Sequence, residues 1–123
     1  MQIQKPGKVT AIAAMALANG ILNILWGLSL SSALVLGTVG IGLLCAPITL
    51  LPLGLGIVEI IYAASLLSAS PSPTQLSQTR TIAILEICCI LYGNIVSLIV
   101  GILVLVFFGD LGVQGYLVGL KKN

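Results

Sequence analysis

Between Lys8 and Glu59 the chain carries no charged residue, and the next charge after Glu59 is Arg80. A helix at the surface of a soluble protein needs a polar face. Uncharged runs of this length suit a bilayer instead, where about 20 apolar residues cross the hydrocarbon. With 59% of its 123 residues hydrophobic and 7% charged, the chain lies outside the soluble range. What remains is a short lead before Val9, a polar loop near residues 69–79 and a tail after Phe108. None of these is long enough to bury a core. The expectation is an all-α, single transmembrane helical domain over residues 1–123, with no soluble catalytic domain.

Four spans are expected, over residues 9–30, 46–68, 80–92 and 95–108. The first run, about 22 residues from Val9 to Leu30, exceeds the roughly 7–15 of a signal-peptide core, so it reads as a retained span. Residues 31–45, glycine-rich and short, read as a re-entrant or interfacial segment. Pro47 suits a first helical turn, and Pro52 is a kink unless neighbours satisfy the freed carbonyl. Ser77 or Thr79 would cap the helix after the polar loop.

As one helix, Thr81 to Phe108 would be about 42 Å long, against a hydrocarbon core of about 30 Å. Gly93-Asn94 is a turn dipeptide in its middle and predicts a hairpin of two short helices. The alternative is three spans. Charge placement favours four, because Lys5, Lys8, Arg80, Lys121 and Lys122 then share one side.

Two carboxylates, Glu59 and Glu86, fall inside the expected spans. An ionisable group in hydrocarbon costs about 3 kcal/mol on insertion scales, so it normally faces a partner or a water-filled cavity. Asn19 and Asn23, four apart, share one face of the first helix with the small residues Ala16, Gly20 and Gly27. Gly56, Glu59 and Ala63 repeat the small–polar–small pattern, as do Ala83, Glu86 and Cys89. Small residues let helices approach closely, and asparagine hydrogen-bonds across such an interface for about 1 kcal/mol. At 1.5 Å per residue the two carboxylates lie within roughly 5 Å of each other in depth. A buried intramembrane cluster of Asn19, Asn23, Glu59 and Glu86 is expected, its two carboxylates sharing a proton if they meet. Its bland counterpart is a protonated carboxyl that merely pins two helices together, or a carboxylate paired with Arg80 near the interface.

Cys45, Cys88 and Cys89 lie in apolar surroundings without histidine or a spaced partner pair, and read as packing residues. The glycines of residues 37–42 are no phosphate cradle, since neither a strand nor a P-loop lysine accompanies them. No cofactor, metal or catalytic residue is expected. The net charge of +2 lacks the clustered basic face that nucleic acid requires.

Three stretches carry a resemblance: Val9-Thr10-Ala11-Ile12-Ala13 leading to Gly20-Ile21-Leu22-Asn23-Ile24, then Gly56-Ile57-Val58-Glu59-Ile60 with Ala63, and Arg80 to Ile87 followed by Gly101-Ile102-Leu103. Together they resemble small, uncharacterised bacterial four-helix membrane proteins in which a short hairpin joins the last two spans. The resemblance supports the four-span topology, implies a turn at Gly93-Asn94 and brings no activity with it; the expected location is a bacterial cytoplasmic membrane. By size the chain is also similar to the small multidrug transporters, whose essential glutamate lies in the first helix, where this sequence has Asn19 and Asn23.

The functional expectation is a non-catalytic accessory or structural subunit of a larger membrane complex, packing through its small-residue faces. Its partners would be the lipid bilayer and other membrane subunits or a second copy, with both termini cytoplasmic. The rival is a small homo-oligomeric transporter or channel with Glu59 and Glu86 at its proton or cation site.

Overall fold

The computed structural model describes residues 4–69 and 71–122, and every regular element among them is helical. Helix α1, Gly7–Gly37, starts where the fixed extended backbone of Pro6 ends. It runs seven residues past the expected end at Leu30, because nothing from Ser31 to Leu36 breaks a helix. Val39 and Gly40, both at positive φ, then reverse the chain into a 3-10 turn, Ile41–Cys45. Residues 31–45 are therefore no single re-entrant element: the first part completes α1 and the rest is a turn.

Helices α2, Ala46–Thr49, and α3, Leu51–Leu67, are separated at Leu50. Pro52 sits in the first turn of α3, where its missing N–H is an orphan anyway, and the helical run Pro47–Leu67 continues through it. Two stretches, Gly7–Gly37 and Pro47–Leu67, are long and apolar enough to cross a membrane. A third qualifies if α6, Ile95–Phe108, and α7, Leu111–Lys122, are taken together across their 68° bend.

The expected polar loop contains a short helix, α4, Pro73–Ser77, closed by a capping box between Ser72 and Gln75. Neither expected cap serves the next helix. Ser77 donates to the Thr74 carbonyl at 2.8 Å, and Thr79 donates to the Leu76 carbonyl at 2.6 Å. Ser70 of that loop lies outside the described residues. Helix α5, Thr79–Cys88, tightens into a 3-10 turn, Cys89–Tyr92, and ends on Gly93 at φ 75°. Asn94 then caps α6, accepting from the Ser97 N–H at 3.1 Å. This is the hairpin expected at Gly93-Asn94.

The most extensive packing is α1 on α3, then α5 on α6, with α6 also against α1. Glycines set these distances. A Cβ on Gly56 would lie 2.4 Å from the Gly20 carbonyl oxygen, and one on Gly101 would lie 2.6 Å from that of Ala83. A Cβ on Gly27 would lie 2.8 Å from the Leu53 nitrogen. At one end Lys5 donates to the carbonyls of Leu66 and Ser68 at 2.5 and 2.8 Å, while Lys8 pairs with Asp110. Helix α7 packs on α4 at that same end, burying Val113, Tyr116 and Leu117. The outside of the long helices is aliphatic, with Leu25, Val58, Ile61, Ile99 and Val106 all exposed.

Candidate functional site

The four expected polar residues meet. Asn19, Asn23, Glu59 and Glu86 are each 0% exposed. Glu59 is about 12 Å along α3 from Leu67, and Asn19 about 16 Å along α1 from Lys8, so the cluster lies deep among the helices. Its position follows from the small residues beside it. Gly20 of α1 lets the Glu59 stem approach, since a Cβ there would lie 3.1 Å from the Glu59 Cβ. Gly101 of α6 does the same for Glu86, at 3.0 Å. Ala16, Gly20, Gly27, Gly56, Ala63 and Ala83 are all buried, so these faces pack against helices of this same chain.

Glu59 is well supplied with donors. The Asn23 amide donates to its Oε2 and Oε1 at 3.0 and 3.2 Å, and the Asn19 amide to Oε1 at 3.2 Å. Two further residues complete the cluster: Ser97, not singled out from the sequence, and Asn94, expected there only as a turn residue. Ser97 Oγ accepts from Asn19 at 3.0 Å and Asn23 at 3.4 Å. Asn94 donates to Asn23 Oδ1 at 2.6 Å, tying the hairpin turn to the middle of α1. Ser97 lies four residues before Gly101, as Asn23 lies before Gly27, and that repeated spacing is the trace it left in the sequence.

Glu86 differs. Both of its carboxyl oxygens are fully buried, and no strong donor is aligned on them as the asparagine amides are on Glu59. The carboxyl lies within hydrogen-bonding reach of the Glu59 carboxyl and of Asn19, so the two acids meet. Towards the charged end Tyr62, near Glu86, shares a hydrogen bond with Thr79, and both are buried. Towards the other end a cavity of about 380 Å³ opens beside Asn94, lined also by Trp26 and Ser29. Thr79, Tyr62, Glu86, Glu59, Asn23 and Asn94 thus form a line of polar side chains running the length of the α5–α6 hairpin.

No protein-family model, curated protein or solved structure matches this chain. The chemistry of the cluster therefore rests on its own atoms. Amide donors at both oxygens suit Glu59 as a carboxylate, because an ionised carboxyl only accepts. Glu86, buried beside that carboxylate with no cationic side chain near it among the described residues, cannot remain a second bare anion, since an unpaired buried charge is far costlier than a neutral acid. It must take up a positive partner, and a proton is the smallest.

Outside the membrane-facing segments, Asp110 is held below the usual carboxylate range by its hydrogen bond from Lys8, with the Gly112 N–H, 3.0 Å away, adding to the effect.

Proposed function

We propose that this chain is a small multi-pass membrane protein of the proton- or cation-coupled transporter class, with Glu59 and Glu86 as its ion-handling pair. One observation carries the reading: two fully buried carboxyls meet among the helices, with no cationic side chain beside them among the described residues, so the pair has to hold a proton or another cation. The polar line from Thr79 to Asn94 gives the pair neighbours towards both ends of the hairpin.

Four crossings and cytoplasmic termini are the topology that goes with this reading. Lys8 is tied to Asp110 at one end of the hairpin, and the Trp26 indole donates to the Tyr92 carbonyl at the other, at 3.0 Å. Those two levels are about 27 Å apart along α1, close to a hydrocarbon core of about 30 Å. Trp26 and Tyr92 would then sit at the far interface, where such rings concentrate. The lysines and Arg80 would share the positive, cytoplasmic side, and α7 would lie across it.

The accessory-subunit reading keeps its support from the scant mass outside the apolar helices and from the shortness of α5 and α6, which neighbours would shelter, and it gains a groove. An apolar groove of about 520 Å³ runs between α3 and α5, lined by residues such as Leu51, Val58, Leu85 and Leu91. The small-residue faces no longer argue for it, since they pack within the chain.

The test is flux. Purified protein in liposomes with an entrapped pH dye should dissipate an imposed pH gradient. Glu86→Gln should cut that rate at least tenfold while the protein keeps its melting temperature. Equal flux in wild type, Glu86→Gln and empty liposomes refutes the transporter reading.

A further inference from the structure

The acids meet inside the bundle, while the cations gather at one end of it. Lys5 is engaged by two backbone carbonyls and Lys8 by Asp110. Arg80, Lys121 and Lys122 are exposed, with no acidic partner among the described residues. The opposite end, made of residues 38–50 and the hairpin tip at 89–94, holds no charged residue. Three open cations on one end call for anions from outside the chain.

Helix α7 indicates where those anions lie. It begins beside Asp110, at the level of Lys8, which is one edge of the hydrocarbon in the topology proposed above. The chain turns by 68° between α6 and α7, so with α6 crossing the bilayer α7 lies closer to the membrane plane than to its normal. The inner face of α7, Val113, Tyr116 and Leu117, is buried. The outer face is apolar too. Leu111, Gly115 and Val118, at i, i+4 and i+7, line one side, with Leu111 88% and Val118 50% exposed. A helix over open water would carry polar residues there. An apolar face ending in lysines fits the boundary between headgroups and acyl chains instead.

We propose that α7 and Arg80 form a docking surface for anionic phospholipids, with Leu111 and Val118 against the upper acyl chains and Arg80, Lys121 and Lys122 on the headgroup phosphates. The surface goes beyond ion handling and stands whether or not the carboxyl pair carries protons; it shares with the proposed topology only the crossing of α6. Charge complementarity fixes the class of lipid. A zwitterionic headgroup carries its own cation beside the phosphate and offers no net charge, whereas each basic side chain near an anionic surface favours binding by about fivefold. Lysines in a last helical turn also offset the helix macrodipole without any lipid, so the test reads a difference between two lipids.

The experiment uses the full-length chain with its native cysteines replaced and Val118→Cys carrying a fluorophore, in phosphatidylcholine liposomes. A minor share of either phosphatidylglycerol or phosphatidylcholine carries bromine on its upper acyl chains as quencher. Quenching titrations should give phosphatidylglycerol a relative association constant at least tenfold above phosphatidylcholine. That preference should fall about fivefold with each of Arg80→Gln, Lys121→Gln and Lys122→Gln, and high salt should weaken it. Equal quenching by the two lipids, or none by either, overturns the proposal. So does a preference that inorganic phosphate abolishes where chloride of equal ionic strength does not, because the cations would then hold the free anion. Wild type gives a second reading without a label or a substitution. Its melting temperature, followed by the fluorescence of its single tryptophan, should be higher in mixed micelles containing phosphatidylglycerol than in those containing phosphatidylcholine, and equal melting overturns the proposal. An absence of proton flux bears only on the ion-handling reading.

Discussion

Gly54 and Gly56 lie two residues apart on α3, and their alanine variants should move stability in opposite directions. At Gly54 an added Cβ meets nothing within 4 Å. Gly54→Ala should then stabilise by about 0.5–1 kcal/mol, the usual gain from removing a helical glycine. At Gly56 the same atom would lie 2.4 Å from the Gly20 carbonyl oxygen and 3.0 Å from the Ile24 nitrogen. Both are backbone atoms, so no side chain can swing aside. Restoring an ordinary contact of 3.4 Å requires α1 and α3 to separate locally by about 1 Å. Overpacking of this kind costs about 1–3 kcal/mol, and the helical gain offsets only part of it. The expected net loss is about 1–2 kcal/mol, which places the two variants roughly 1.5–3 kcal/mol apart. The assay is equilibrium unfolding in mixed micelles of mild detergent and dodecyl sulfate, read by Trp26 fluorescence. If Gly56→Ala proves as stable as Gly54→Ala, the close α1–α3 approach is wrong, and with it the placement of Glu59.

Asn23→Ala removes both amide bonds to Glu59 and leaves the Asn94 amide without its acceptor; it should destabilise by about 1–3 kcal/mol in the same assay. With the native cysteines replaced, Leu91→Cys at the exposed hairpin tip should react with an impermeant maleimide only from the side opposite the N-terminus; labelling from the N-terminal side would refute four crossings. Asp110, its acid form disfavoured in the folded protein, should help hold α7 at pH values above its ordinary 3.8 and lose that effect as acid carries the pH below it. Proteolytic release of α7 should therefore rise below about pH 4 in wild type and be insensitive to pH there in Asp110→Asn, and salt should weaken the Lys8 pairing in wild type.

The cluster was legible because polar residues are rare here: each asparagine or glutamate in an apolar helix stood out, and the small residues beside it named the face. The hairpin was legible from Gly93-Asn94 for a similar reason, since a left-handed glycine before a capping asparagine has few other uses. Ser97 was not, because a lone serine in a membrane helix so often bonds its own backbone. The extent of α1 was missed for a different cause. Length alone suggested that a span should stop after about 20 residues, but a helix continues until something breaks it, and nothing does before Gly37. In the loop, Ser72 and Gln75 spelled out a capping box that prolines on either side obscured.

The donors that serve Glu59 all belong to α1, which is made before α3. Synthesis adds about 5–20 residues per second, so Glu86 follows Glu59 from the ribosome by roughly 1–5 seconds. During that interval the early hairpin can already enter the bilayer with its carboxylate bonded to asparagine. Glu86 has no such escort on its own hairpin and depends on α1 being there to receive it. A nascent chain halted after Ser68 should insert by itself, whereas residues 79–108 made alone should be retained by the insertion machinery or degraded.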